Sequence, residues 1–503
     1  MTSLWRDLAG RAETDEFPVD GEFDAVVIGG GLTGLTTALL LARAGERVAV
    51  LEAREVGAVA TGNTTAKLSV LQGTRLQKIA SVNGRAVLEA YVANQREAFD
   101  WMVEYLSGSG VPFEYQDSVT FAETPDEVDA VRREYDVARS VGLPVRLDDH
   151  AELPFPTHAA VVLPRQVHFD PMDVVIRLVA DIRAAGGIVV EGARARRVRA
   201  ASPAVVTTDA GVVHGRRVIV ATGIPVLDRG LYFAKVEAKR SHVVAFEVDE
   251  RDARETGMFL SAGASAHSVR WHRGRLIVGG EGHPTGRQKA SDDPYGALDE
   301  WARMHWPSAR RTHSWSAQDY ESASHVPFVG PLPRGRGRVL MATGFEKWGM
   351  TGAVSAALTL AADVVGGHTP AQRLLRRRIT LPLAMARGIG ANARVFTWYA
   401  RSWVEALARR NAIPAGSTRG NHLVHPTVVD VLDDGPCGLS LVCPHLGAVV
   451  RWNTAEGSWD CPAHGSRFAP NGELLEGPAT RGLAVVPDRS AEKRRRDAFV
   501  APG

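Results

Sequence analysis

The chain has 503 residues, 45% hydrophobic and 23% charged, the balance of an ordinary soluble globular protein of about three domains. A formal net charge of +2 gives no strong field for a polyanion, so the composition offers no argument for nucleic acid. Three cysteines, Cys437, Cys443 and Cys461, are too few for the disulfide framework of a secreted protein and fit a reducing compartment.

Residues 1–20 form a polar N-terminal arm without the apolar core of a signal peptide. The longest apolar stretch, residues 25–41, is interrupted by four glycines and three threonines, whereas a membrane span needs roughly 20 predominantly apolar residues. The expectation is a cytoplasmic protein with no membrane span.

The run Phe23–Ile28 predicts a strand, Thr33–Ala44 a small-residue helix and Arg47–Glu52 a second strand. Between the first strand and the helix stands Gly29-Gly30-Gly31-Leu32-Thr33-Gly34, a G-x-G-x-x-G in the context that a dinucleotide fingerprint requires. Gly29 serves the tight turn, Gly31 lets the backbone approach a pyrophosphate, and Gly34 allows close packing of helix on strand. The helix N-terminus offers its amides to the anion. Glu52, 18 residues past Gly34, is placed to bond ribose hydroxyls.

Further along, residues 85–106 show helical periodicity stopped by Gly108 and Gly110, and residues 173–185 predict an amphipathic helix. Strands are expected at 188–190 and 218–221, and antiparallel strands over 240–280. Gly279-Gly280-Glu281-Gly282 has no helix pattern after it and reads as a turn. Residues 338–365 predict strand, glycine turn and helix. A helix is expected from about Ala391 to Arg410, with Val395, Phe396, Tyr399, Trp403 and Leu407 on one stripe. Pro414-Ala-Gly-Ser reads as a hinge. The boundaries that follow are an arm (1–20), a nucleotide-binding oxidoreductase module (21–367), a helical linker (368–413) and a small β domain (414–503).

That last domain holds Cys-x-His, fifteen residues, then Cys-x-x-His: Cys443, His445, Cys461 and His464. Two thiolates and two imidazoles also fill a structural zinc site, but zinc sites usually pair Cys with Cys and His with His, whereas here each loop supplies one of each. A two-iron cluster divides such ligands differently, with thiolates on one iron and imidazoles on the other. Neutral imidazoles in place of two anionic ligands raise the potential, to about −150 to +300 mV. Cys437 reads as a small buried residue rather than a fifth ligand.

Several segments carry a family resemblance. Cys443-Pro-His445-Leu-Gly447 and Trp459-Asp-Cys461-Pro-Ala-His464-Gly-Ser-Arg-Phe468 closely resemble the two cluster loops of Rieske proteins, and Gly477-Pro-Ala479 resembles their third loop. Ala448 and Ala463 stand where many Rieske proteins carry a bridging pair of cysteines. Without the bridge the domain is expected to depend more on its cluster for stability.

The module 23–365 resembles the D-amino-acid oxidase-like family of FAD-dependent oxidoreductases, on Thr61–Lys67, Asp170-Pro171, Val220–Gly223, Trp315–Asp319, Pro327–Gly330, Ala342–Phe345 and Trp348–Thr351. The implied fold is an α/β Rossmann-type FAD domain with an antiparallel substrate-capping sheet, followed by the all-β Rieske domain. By this resemblance Thr64, Thr65 and Ala66 lie near the flavin ring, Val198 lies by the adenine, and Thr222 and Gly223 face the cofactor. Gly344, Gly349, Met350 and Thr351 bring a turn and a helix N-terminus to the flavin carbonyl edge. No cysteine precedes residue 437, so no cysteine-linked flavin is expected.

The cofactor carries the chemistry and the protein orients it. No catalytic acid or base stands out; Arg240, Arg270, His283, Lys347 and Trp348 are weak substrate-pocket candidates, an Arg being able to fork a carboxylate. The expected activity is hydride transfer from an amine or amino-acid-like substrate to FAD, with electrons leaving singly through the cluster to an external acceptor. An acidic protein acceptor would suit Arg376–Arg378 and Lys493–Arg496. The alternatives are a reductase run from a ferredoxin-like donor and a non-catalytic redox sensor.

Overall fold

The computed structural model describes residues 2–249, 252, 257–289, 291–378, 380–414, 417–419, 426–429 and 437–487. Ala415 and Gly416 of the expected hinge, the Lys493–Arg496 run and the side chain of Cys437 lie outside the described residues. The chain divides into two compact units, residues 1–282 with 293–388, and residues 283–292 with 389–503.

The first unit is built on two sheets. In one, Glu22–Ile28 runs parallel between Val48–Leu51 and Val212–Val220, with Val27 opposite Val50 and Ile219. Val339–Thr343 and Ile188–Val190 extend the parallel set, and Phe328–Pro331 closes one edge antiparallel. The strand residues 25–28 and 48–51 are all buried, as continuous apolar runs in a sheet covered on both faces must be. The helices Leu32–Arg43 and Gly349–Val365 pack together, and both bury small residues, Ala38 and Ala42 on one and Ala353, Ala356 and Ala357 on the other.

The other sheet runs Arg310–Ser322, Val236–Glu247, Arg275–Pro284, Ser268–His272, Met258–Ser261, Phe113–Ala122, Ala159–Phe169 and Lys67–Leu68. It is mostly antiparallel, but Met258–Ser261 pairs parallel with Phe113–Ala122. Gly279–Gly282 is not a turn: it lies inside the strand Arg275–Pro284. A Cβ on Gly279 would meet His242 O at 3.4 Å and Thr65 Cγ2 at 3.5 Å, so these glycines belong to a strand that other groups approach closely.

The polar arm also holds structure. Leu4–Leu8 is a short helix capped by Ser3, and Leu4 and Trp5 are wholly buried in the core of the first unit. Polarity misled here because the two apolar residues are outnumbered by the charged ones facing out.

In the second unit, two four-stranded antiparallel sheets surround Leu441, Val449, Trp459, Phe468 and Leu474. One contains Thr427–Val429 and Cys437–Ser440, the other Arg451–Asn453, Ser458–Asp460, Arg467–Phe468 and Leu474–Glu476. The helix Pro382–Leu407 lays Val395, Tyr399, Trp403 and Ala406 on this core. The expected single stripe is split, because the core reaches only part of it: Phe396 and Leu407 stay exposed.

Candidate functional site

The nucleotide cradle forms where Glu22–Ile28 ends and Leu32–Arg43 begins. Gly29 has φ +113°, and a Cβ there would sit 2.5 Å from Ala221 O. A Cβ on Gly34 would sit 1.9 Å from Gly29 O, so the turn and helix close only on glycine. Gly31 caps the helix without a side-chain bond, leaving its first amides to an incoming anion; Leu32 N is also steered, donating to Thr61 Oγ1 at 3.0 Å. Glu52 is fixed at both oxygens: Gly30 N donates to Oε2 at 2.7 Å and Arg54 N to Oε1 at 2.8 Å. Desolvation raises its pKa.

The loop 61–66 is tied down carbonyl by carbonyl. Ser3 Oγ donates to Gly62 O, Trp315 Nε1 to Asn63 O at 2.9 Å, Trp5 Nε1 to Thr64 O at 2.7 Å, and Arg270 Nη1 to Ala66 O at 2.8 Å. Ala66 itself has φ +55°, and its amide donates to Thr64 Oγ1 at 3.0 Å. Four residues from distant segments therefore set the carbonyls of Thr64 and its neighbours. Ser3 and Trp5 were not expected from the sequence, since the only signal was two apolar residues in a polar arm.

On the neighbouring strand ends, Thr222 Oγ1 donates to Ile224 O, and Thr343 Oγ1 donates to Gly223 O, both at 2.6 Å. Val198 is buried on the strand Ala195–Arg199. The turn 344–348 carries three left-handed residues, Gly344, Glu346 and Lys347, and leads into the helix that starts at Gly349. Met350 and Thr351 are buried, and Thr351 Oγ1 donates to Ser69 O at 3.0 Å. Arg75, also unanticipated, ties this turn to its surroundings by donating to Phe345 O and His325 O.

The weak substrate-pocket candidates of the first unit fall in two places. Arg240 is buried, its Nε donating to Ser316 Oγ at 2.9 Å, and a Cβ on Gly282 would meet Lys347 Nζ at 2.7 Å and Arg240 O at 3.7 Å. These two border one stretch of strand, with Trp348 at the cap of the following helix. Arg270 lies elsewhere, 1% exposed, its guanidinium 5.0 Å over the Trp5 ring beside buried His168 and His272. Burial lowers the pKa of Arg270 to about 9 and that of His272 to about 3. His283 belongs to the second unit.

The four-ligand constellation is assembled on two loops of like construction. Gly447 N donates to Cys443 O at 2.9 Å and Gly465 N to Cys461 O at 3.1 Å, with Gly447 and Gly465 at φ +80° and +77°. Cys443 and Cys461 are both 2% exposed and hydrogen-bond to each other, and the rings of His445 and His464 meet edge-on at 5.1 Å. The bond to Cys461 and then burial push the Cys443 thiol well up, whereas the same bond lowers Cys461. A cationic centre bound between them would favour both as thiolates. Burial, then His445 and Arg287, hold His464 down to about 3, keeping the neutral imidazole that a metal takes. Two sulfurs and two imidazole rings on facing loops fit a Rieske cluster.

The surroundings hold these loops in place. Ala479 N donates to Ser466 Oγ at 3.1 Å, and a Cβ on Gly477 would sit 2.5 Å from Ser466 Cα, so the third loop lies directly on the second. Trp403 Nε1 donates to Gly447 O at 3.0 Å, bracing the first. Arg287 Nε donates to Pro462 O at 2.9 Å, and Arg451 Nη1 to Gly286 O and Gln288 O, both at 3.0 Å. Residues 283–292, separated in sequence by about 170 residues, thus form a further wall of the second loop. The Ala448 and Ala463 side chains are buried where the bridging cysteines are absent.

Comparison with known proteins agrees with both domains. The family model for FAD dependent oxidoreductases (DAO) matches residues 24–362, and that for the Rieske [2Fe-2S] domain matches residues 403–487. The Bacillus subtilis (strain 168) protein YhfW, whose name describes a Rieske 2Fe-2S iron-sulfur protein, is 30% identical over 480 residues, covering 93% of this chain and 94% of its own. A cytochrome b6-f complex iron-sulfur subunit of Synechococcus sp. (strain JA-2-3B'a(2-13)) is 48% identical over 64 residues, 12% of this chain and 37% of that protein. Among solved structures, L-proline dehydrogenase from P. horikoshii aligns with TM-score 0.60 at 18% identity, over 74% of this chain and 99% of that one. Glycine oxidase from Geobacillus kaustophilus aligns with TM-score 0.59 at 19% identity, over 70% and 96%. At these identities the structural likeness speaks for the fold alone.

Proposed function

The chain belongs to the DAO family of FAD-dependent oxidoreductases and carries a Rieske 2Fe-2S domain, and from that premise we propose that it is a dehydrogenase of amine or amino-acid-like substrates whose electrons leave singly through the cluster to an external acceptor. The observation that carries the reading is the presence, in one chain, of a complete dinucleotide cradle and a complete two-thiol, two-imidazole site. An oxidase that hands both electrons to oxygen has no use for a one-electron centre. When bound, FAD accepts a hydride from a C–H bond beside nitrogen, and the cluster relays electrons one at a time.

The protein's own groups bind and orient. Gly29, Gly31 and Gly34 would admit the pyrophosphate to the helix N-terminus, and Glu52, anchored by two amides, would offer its remaining lone pairs to the ribose. Thr64, Thr65 and Ala66 would lie against the flavin ring, with the carbonyls of Thr64 and Ala66 held by Trp5 and Arg270. The amides at Gly349–Thr351 would bring the positive end of a seventeen-residue helix to the flavin and favour negative charge on its reduced form. Arg240, with Nε committed to Ser316, and Lys347 are the candidates to hold a substrate carboxylate. The reading places the protein in the cytoplasm.

The test is anaerobic titration of the iron-loaded holoprotein with secondary amines, amino acids and polyamines, following flavin absorbance and the EPR signal of the reduced cluster. One substrate class is expected to bleach the flavin and then raise the cluster signal. A flavin that stays oxidised with every compound, while dithionite reduces both centres, refutes the reading and leaves the reverse reaction to be tried from the cluster side.

A further inference from the structure

The helix Pro382–Leu407 has three faces. One is packed: Val395, Tyr399, Trp403 and Ala406 lie on the core of the second unit. Beside it, Ile389, Ala393, Phe396, Ala400, Val404 and Leu407 fall within a sector of about 100° at 3.6 residues per turn. Nothing in the described residues covers this sector: Ile389 is 70% exposed, Phe396 73%, Val404 65% and Leu407 58%. Single exposed apolar side chains need no explanation, but a row of four large ones running about 27 Å does. Next round the helix come Arg394 and Arg401, both exposed, Arg401 with its Nε also donating to Glu405 at 2.6 Å. From Ile389 to Arg410 the chain has four arginines, Arg394, Arg401, Arg409 and Arg410, and one carboxylate, Glu405.

We propose that this helix docks in the plane of an anionic lipid surface, its Ile389–Leu407 row entering the acyl boundary and its arginines meeting the headgroups. A long amphipathic helix with an apolar face bordered by basic residues is the signature of such interfacial binding, and charge complementarity singles out the anionic surface. A second copy of the chain fits less well. Its arginines would face arginines, and the exposed row offers about six residues where a stable interface takes about 20–30 a side. Docking would also serve the redox site, because the same helix holds the first cluster loop. Trp403 Nε1 donates to Gly447 O at 3.0 Å, Ser402 Oγ accepts from Val449 N at 3.2 Å, and Leu446, between His445 and Gly447, is exposed. This inference stands apart from the choice of substrate and from the direction of electron flow.

The experiment is co-sedimentation of the full-length holoprotein with vesicles of phosphatidylcholine alone and of phosphatidylcholine with phosphatidylglycerol. Binding is expected only to the second, and to weaken with salt. Each arginine near an anionic surface is worth about fivefold in partitioning, so Arg394→Gln with Arg401→Gln should reduce it about 25-fold. Ile389→Ser with Phe396→Ser should reduce it at least tenfold, since each side chain gives up its burial. All four positions are exposed, and an unchanged cluster spectrum shows that the variants fold. The proposal is overturned if the protein ignores phosphatidylglycerol vesicles, if both double variants bind as wild type does, or if it binds neutral vesicles equally. It is also overturned if the wild type is a dimer that Ile389→Ser with Phe396→Ser makes monomeric while vesicles bind neither.

Discussion

Trp5 is where the N-terminal helix and the loop 61–66 meet, and its removal should damage cofactor binding more than its place near the chain start suggests. The side chain is 0% exposed, donates Nε1–H to Thr64 O at 2.7 Å and lies under the Arg270 guanidinium. Truncation of a buried tryptophan to alanine costs about 3–5 kcal/mol. Within that sum, leaving the Thr64 carbonyl without its donor accounts for about 1–3 kcal/mol. The cation–π contact accounts for about 0.5–2 kcal/mol. For a large domain roughly 2 °C of melting temperature is lost per kcal/mol, so Trp5→Ala should lower the first thermal transition by about 5–10 °C.

A second variant separates bulk from hydrogen bond. Trp5→Phe keeps most of the volume and loses the donor, so it should recover more than half of the stability but not the hold on Thr64 O. Both variants are expected to bind FAD more weakly, seen as a smaller rise in melting temperature on adding excess FAD and as free-flavin fluorescence on dilution. If Trp5→Ala shifts the melting temperature by under 2 °C, the helix Leu4–Leu8 is not part of the folded core. If it destabilises but retains wild-type FAD affinity, the loop 61–66 does not depend on this clamp.

Three further outcomes are expected. Gly34→Ala sets a Cβ 1.9 Å from Gly29 O and should yield protein without bound flavin, checked by the absorbance ratio of the purified chain, while the cluster spectrum remains. Arg467, buried between Asp460, Glu476 and Glu456 at 3.0, 2.8 and 3.1 Å, leaves three carboxylates uncompensated when changed to Met. The cost is about 3–5 kcal/mol, read as lost iron per chain and a lower melting transition of the cluster domain. Glu134 is buried, accepts from Leu76 N and Gln77 N at 3.0 Å each, and is raised to about 7 by desolvation. Its folded-state pKa lies above the unfolded one, so the stability it contributes is full below about pH 4.3 and is lost as pH rises towards 7. Glu134→Gln should remove this loss, so that the melting temperature of the variant falls less than wild type between pH 5 and 8 in scanning fluorimetry.

What the sequence disclosed and what it withheld divide along the range of the forces involved. The cradle was legible because its requirements are local: Gly34 must be glycine to clear Gly29 O five residues away, and Glu52 ends the very next strand. The cluster ligands were legible because their chemistry tolerates few residue types at short spacing. Gly279–Gly282 misled, since a glycine run reads as a turn unless one knows that Thr65 approaches it from a loop and His242 from another strand. Ser3, Trp5, Arg75 and Arg287 left no sequence signal, because each acts on a backbone carbonyl supplied by a remote segment, and a carbonyl has no residue identity to recognise. The helix Pro382–Leu407 shows the same limit from the opposite side. Its apolar periodicity announced a buried stripe, yet periodicity states only that a face is apolar, and whether protein or another phase covers that face is decided by the width of the neighbouring core. Here that core ends between Tyr399 and Phe396, which leaves the remainder of the stripe to a partner outside the chain.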